Sequence, residues 1–245
     1  MIRAILALLF AVLYLILGIP VLIVEWIIGK FNKKVMDVSS LRMVQWAFRV
    51  IMFICGVKLT VKGDENVPKD EPVLYICNHK SYFDIIITYS RCPNLTGYIS
   101  KDTLGKVPLL NIWMKRLYCL FLDRKDIKQG LKTILTAIDY VKQGVSMCIF
   151  PEGTRNTSEN LLLPFKAGSF KIAEKTNCTI IPMAITNSAD ILENHFPKVK
   201  PTHVVLQYGK PIHLKDLSKD EQKHLASYVQ KDVEALLLDN QTMLP

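Results

Sequence analysis

The sequence lacks several signatures that would settle its chemistry at once. None of its six cysteines (Cys55, Cys77, Cys92, Cys119, Cys148 and Cys178) forms a C-x-x-C pair, which argues against a zinc ribbon or a thioredoxin-like redox centre. Several lie inside apolar runs such as VLYIC and SMCIF, so buried free thiols in a reducing compartment are expected. There is no G-x-x-x-x-G-K-[ST] loop, which removes the P-loop nucleotide hydrolases. There is no G-x-S-x-G; the nearest string, Gly144-Val145-Ser146-Met147-Cys148, lacks the final glycine and reads as a strand. Four of the five histidines, His195, His203, His213 and His224, lie in C-terminal stretches away from His79, whereas a metal site needs three or more converging ligands. No repeat, low-complexity tract or dividing linker is visible. Acidic residues are few: 22 against 31 basic ones, a net charge of +9. With no base-readout motif, nucleic acid is not the expected partner, and the surplus suits an anionic membrane surface or a phosphorylated substrate.

What is present begins at the N-terminus. Ile5 to Ile28 is an almost unbroken apolar run with Glu25 as its one charged residue. About 20 residues span a bilayer core, and no small-residue cleavage site follows, so the run is expected to be kept as an anchor. Gly18-Ile19-Pro20 interrupts it; either a kinked span or two shorter helices dipping into one leaflet fits. Lys30, Lys33 and Lys34 follow closely, so the positive-inside bias puts the rest of the chain on the cytoplasmic side of the cell membrane. Leu41 to Val57 carries Arg42, Gln45 and Arg49 on one stripe and Trp46, Phe48, Ile51, Phe53 and Ile54 elsewhere. That pattern, with a start at Val38-Ser39-Ser40, predicts a helix lying in the membrane interface. Residues 1–57 are thus expected to form the membrane-associated segment and residues 58–245 one further domain.

In that domain, short β-rich runs alternate with helical stretches. Strands are predicted at Lys58–Val61, Val73–Cys77, Gly97–Ser100, Tyr118–Leu122, Ser146–Phe150, Thr179–Ile185 and Val204–Tyr208. Helices are predicted at Phe83–Tyr89, Ile127–Lys142, Ser169–Lys175 and Lys219–Leu238. The alternation implies an α/β fold with a single, largely parallel sheet flanked by helices. Ligands of such sheets gather beyond the carboxyl ends of the strands. Asn78-His79, Asp123-Arg124 and Glu152-Gly153-Thr154-Arg155 all follow predicted strands, so neighbouring strands would bring them to one edge.

Two of these stretches carry chemistry. In Asn78-His79-Lys80-Ser81-Tyr82-Phe83-Asp84, the imidazole and the carboxylate are five positions apart. On one continuous helix they would diverge by about 140°. They meet only if His79 lies in the loop before the helix, and Ser81-x-x-Asp84 offers the helix start that allows it. An imidazole so oriented is a general base; the bland alternative is that Asp84 only caps a helix. The second stretch, Phe150-Pro151-Glu152-Gly153-Thr154-Arg155, places a glycine, a hydroxyl and a guanidinium after a strand, a set suited to phosphate.

Asn-His-x-Ser-x-x-Asp followed about 70 residues later by Phe-Pro-Glu-Gly-Thr-Arg resembles the 1-acylglycerol-3-phosphate (lysophosphatidic acid) acyltransferase family. The resemblance runs from about Pro72 to Ile185 and includes Phe121-Leu122-Asp123-Arg124, Ile181-Pro182-Met183-Ala184-Ile185, Lys101 and Pro164-Phe165-Lys166-Ala167-Gly168. It departs at Tyr118, where many members carry glycine. It implies His79 as general base oriented by Asp84, and a glycerol-phosphate site formed by Arg124, Glu152, Gly153, Thr154 and Arg155, with Lys101 a further candidate. It implies lysophosphatidate as the lipid acceptor, with glycerol 3-phosphate or another lysophospholipid as rivals. The co-substrate would be a thioester of coenzyme A or of acyl carrier protein, with no cofactor. A non-catalytic, anionic-lipid-binding membrane protein is the competing class. Oligomeric state is not legible.

Overall fold

The computed structural model describes residues 1–123 and 126–244. Three helices come first: α1 (Ile2–Leu17), α2 (Ile19–Phe31) and α3 (Lys33–Cys55). The axis bends by 44° between α1 and α2. Gly18 is the hinge residue, and Pro20 falls in the first turn of α2, where its missing N–H costs no hydrogen bond. Glu25 in α2 is buried: it accepts the Ser39 and Ser40 hydroxyls at 2.6 Å each and pairs with Arg116 at 3.3 Å. Ser39 and Ser40 therefore do not start a helix. The helix α3 begins eight residues before the expected Leu41, at Lys33, because Asn32 caps it by accepting from Val35 N. It ends where Gly56 takes a left-handed φ of 74°.

The polar stripe of α3 faces the protein. Gln45 Nε2 donates to the carbonyls of Tyr89 and Cys92, and Arg49 donates to that of Ser90. These bonds satisfy backbone oxygens at and just beyond the end of the next helix. Trp46 and Phe53 point outward and are exposed, as are Ile5, Leu8, Leu17 and Trp26 of α1 and α2.

The sheet follows, with strands β1 (Val57–Lys62), β2 (Val73–Cys77), β3 (Thr96–Lys101), β4 (Leu120–Leu122), β5 (Ser146–Ile149), β6 (Thr179–Thr186) and β7 (Thr202–Tyr208). Their order is β1-β7-β6-β2-β5-β3-β4. All pairs are parallel except β6 with β7. All seven predicted strands form. The helices α4 (Phe83–Tyr89), α5 (Leu110–Arg116), α6 (Ile127–Lys142), α7 (Lys171–Thr176), α8 (Lys219–Lys223) and α9 (Leu225–Gln241) complete the fold. The expected C-terminal helix is broken at His224, and α5 had no counterpart in the sequence reading.

Side chains alternate across the strands, so two cores form. Val73, Tyr75 and Cys77 pack with Leu41, Val44, Phe83, Ile87 and Trp113 on the side of α1 to α5. Leu74 and Ile76 pack with Ile138, Phe170, Ile172, Val229 and Val233 on the other. Each such side chain contributes about 1.5–3 kcal/mol on burial. All six cysteines are free and buried.

Candidate active site

The parallel neighbours β2, β5, β3 and β4 end at the same edge of the sheet, and the motif residues follow from there. Past β2 the chain turns at Asn78, whose side-chain amide bonds both the N–H and the carbonyl of Ile185 in β6 at 2.8 and 2.9 Å. His79 is thereby held in the loop ahead of α4, as the spacing to Asp84 required. Its Nδ1 lies 2.8 Å from Asp84 Oδ2. A carboxylate only accepts, so Nδ1 carries the proton and Nε2 presents its lone pair. The imidazole stacks on Phe150, with ring centroids 4.1 Å apart.

Asp84 is fully buried and its carboxylate has four donors. Oδ2 also accepts the Lys80 and Ser81 amides at 2.8 Å each, and Oδ1 accepts the Ser188 hydroxyl at 2.5 Å. Ser81 behaves as the expected start of the turn, its Oγ accepting from Phe83 N, though the regular helix begins two residues later. Asp84 thus serves the helix start as well as the imidazole, since its reach back to Ser81 N is half of a capping box.

Glu152 is placed unlike the rest of its motif. It is buried, and its two oxygens accept the backbone N–H of His79 at 2.7 Å and of Leu163 at 2.8 Å. It joins the two motifs from inside, with each oxygen already engaged by a backbone donor. Burial pushes its carboxyl above the ordinary glutamate range, opposed by those two N–H donors. Asn156 N donates to the His79 carbonyl at 2.7 Å, so one backbone polar group of His79 is anchored in the second motif and the other by the residue that follows it.

Gly153 has a φ of 74°, and a Cβ there would meet Lys166 Nζ at 2.5 Å. The loop admits only glycine while Lys166 packs beside it. Thr154 is exposed. The guanidinium of Arg155 lies 3.8 Å above the ring of Tyr82, donates to the Tyr82 hydroxyl at 3.0 Å and faces Glu193 at 3.4 Å. Lys101, exposed at the end of β3, pairs in register with Leu122. Arg124 lies outside the described residues.

Tyr82 also borders an apolar cavity of about 310 Å³. Phe10 and Tyr14 of α1, Val44 and Phe48 of α3, Trp113 of α5 and Leu117 just after it are among its walls. Tyr82, which carries the Arg155 guanidinium on its ring, thus links the first motif to an oily chamber that the N-terminal helices help to build.

Sequence reasoning passed over Ser188 and Glu193, which lie in short turns after β6 and belong to no motif. Tyr82 and Phe150 stood within the motifs but were given no role of their own. Lys166 lay in a stretch noted for its resemblance alone.

A family model described as Acyltransferase matches residues 58–186. Curated relatives carry the name 1-acyl-sn-glycerol-3-phosphate acyltransferase. The one from Saccharomyces cerevisiae is 29% identical over 78% of this chain and 65% of its own length. That from Borreliella burgdorferi is 29% identical over 79% and 77%, and that from Cocos nucifera 32% over 78% and 60%. The chain therefore spans less than two thirds of the yeast and coconut relatives. The crystal structure of the 1-acyl-sn-glycerophosphate acyltransferase PlsC from Thermotoga maritima shares the fold, with a TM-score of 0.80, 24% identity and 97% of each chain covered. With more than half its length matched, and both motifs inside the match, the chain belongs to the acyltransferase family.

Proposed function

We propose that the protein transfers a fatty acyl group from a thioester to the free hydroxyl of lysophosphatidate, giving phosphatidate. The observation that carries this reading is the His79–Asp84 pair, with Nδ1 committed and Nε2 without a partner among the described residues, joined through Tyr82 to Arg155 and to an apolar cavity. The acceptor hydroxyl gives its proton to His79 Nε2 as its oxygen attacks the thioester carbonyl carbon. Asp84 stabilises the imidazolium that forms. The tetrahedral intermediate collapses, the carbon–sulfur bond breaks, and the imidazolium returns its proton to the leaving sulfur. No acyl-enzyme is needed, because the acceptor supplies the nucleophile.

Arg155 and Lys101, with Lys166 beside Gly153, and by the sequence motif Arg124, are the groups we assign to the acceptor phosphate. Thr154 adds a hydroxyl, and Glu152 acts by fixing the loop. The cavity, near the lower end of the roughly 300–1,000 Å³ range of ligand pockets, is where we place part of an acyl chain. The exposed apolar surface of α1, α2 and α3 supports a membrane setting, with residues 1–57 as the anchoring segment and the remainder on the cytoplasmic side. By length and composition α3, and the bent pair α1–α2, each pass for a membrane helix. The donor is a thioester of coenzyme A or acyl carrier protein, with no cofactor.

The test is turnover. Purified protein in vesicles is given lysophosphatidate and an acyl thioester, and thiol release and phosphatidate are followed beside a His79→Ala variant. A loss of about two to four orders of magnitude in the variant is expected. A folded native protein that uses neither lysophosphatidate, glycerol 3-phosphate nor any lysophospholipid would leave the reading without support.

A further inference from the structure

Glu193 stands where the two motifs meet, beyond the stretch matched by the family model. Its Oε2 accepts the Ser81 hydroxyl at 2.7 Å, its Oε1 accepts the Tyr82 amide at 2.8 Å, and the same Oε1 lies 3.4 Å from Arg155. The pair is largely shielded, with side-chain exposures of 31% for Arg155 and 18% for Glu193. Among the described residues, neither Lys101 nor Lys166 has an ion-pair partner. Among the described cations of this set, Arg155 is thus the one that already carries a carboxylate. The contact is longer than the roughly 2.7–2.9 Å of a tight charge-assisted bond, so it is readily exchanged for another anion.

This matters because of what the proposed acceptor and product share, and the inference rests on that functional reading. Lysophosphatidate and phosphatidate bear the same phosphomonoester. A tight grip on it binds substrate and product alike, which lowers KM without helping the chemical step and slows departure of the product. We infer that Glu193 is a positioning residue that tempers this grip. It holds Arg155 over Tyr82 in the empty site, must be parted from it when phosphate arrives, and reclaims it when phosphate leaves. Through Ser81 and the Tyr82 amide, the same carboxylate keeps Arg155 in register with the start of α4, and hence with His79.

Glu193→Gln tests this. Glutamine keeps an oxygen for the Tyr82 amide and can offer an N–H to the Ser81 oxygen, but it carries no charge. The inhibition constant for inorganic phosphate, measured against lysophosphatidate, is expected to fall about fivefold, the upper scale for a partly exposed ion pair. The KM for lysophosphatidate and the inhibition constant for phosphatidate should fall with it. A purely structural role predicts the reverse, since loosening Arg155 weakens all three. Unchanged or weaker phosphate binding in the variant would overturn the inference. Calorimetric titration of both proteins with inorganic phosphate reads the same difference without turnover. It therefore judges Glu193 even if lysophosphatidate proves to be the wrong acceptor, an outcome that the native protein's own turnover reveals separately.

Discussion

Asp84→Asn separates the chemical from the structural role of the carboxylate, because the two have different sizes and different partners. The amide is the same shape. Its oxygen can serve the His79, Lys80 and Ser81 donors, and its nitrogen can donate to Ser188 Oγ, so the turn should survive. Four contacts to a charged acceptor become weaker neutral ones. Hydrogen bonds to charged groups are worth about 1.5–3 kcal/mol and neutral ones about 0.5–1.5. Part of that difference is offset because a buried charge no longer needs to be desolvated, so a net loss of about 1–3 kcal/mol of stability is expected. The rate should suffer more. An imidazolium and a carboxylate about 4 Å apart between charge centres attract by about 4 kcal/mol at an effective dielectric constant near 20. At about 1.4 kcal/mol per tenfold, losing that attraction in the transition state slows turnover by about three orders of magnitude. Thiol-release kinetics and denaturant unfolding measure the two effects on the same samples. In a His79→Ala background, where one of the four contacts is already gone, Asp84→Asn should cost somewhat less stability and almost no further rate, because residues that act as one unit are not additive. A rate within tenfold of native, together with the stability loss, would show that Asp84 is only a cap.

Three further predictions concern the supports of the site. Glu152→Gln replaces an acceptor by a donor facing the His79 or Leu163 N–H, and should cost about 1–3 kcal/mol. Because burial raises the Glu152 carboxyl above its unfolded value, its contribution is full below the unfolded pKa and is lost as pH rises through the folded one. The gap between native and variant in urea midpoint should therefore be wider at pH 4 than at pH 7; a gap that widens toward pH 7 would contradict the sign. Tyr118→Gly relieves a left-handed φ of 58°, worth about 1–2 kcal/mol. It also removes the hydroxyl bond to Asp37 at 2.6 Å, the contact with Lys33 and the edge packing on Tyr140. A net loss of stability of about 1–2 kcal/mol is expected, and a variant more stable than native would show that the strain outweighs the contacts. Burial pushes the thiol of Cys92 up to about 11 and that of Cys119 up to about 12, with Cys77 and Cys148 also raised. These four should resist an aromatic disulfide reagent at pH 8 until the chain is unfolded, and rapid native labelling of any of them would contradict their placement.

The parts of this protein that were legible in its sequence are those written in local code. Each of the seven strands is a short apolar or β-branched run with clear ends. The loop position of His79 followed from rotation alone, since residues five apart on a helix cannot face each other. Convergence of the motifs needed only that their strands be neighbours, and β2, β5, β3 and β4 are. The errors share a cause. Ser39 and Ser40 look like a cap, but their hydroxyls serve Glu25, 14 and 15 residues away. The polar stripe of α3 looks like a solvated face, but it bonds carbonyls more than 40 residues distant. In each case a local pattern was overruled by a partner that only the folded chain supplies.

The same reasoning explains why the motif residues were found and their supports were not. His79, Gly153 and Arg155 are recognisable because their chemistry restricts the residue type. Ser188 and Glu193 have only to deliver a hydroxyl and a carboxylate to one point each, and many positions in a chain could do so. Their effect is nonetheless felt at the motif residues. Ser188 fills the Asp84 oxygen that His79 leaves open, and Glu193 spans Ser81, Tyr82 and Arg155. Two unmarked turns after β6 thus fix the positions of Asp84 and Arg155.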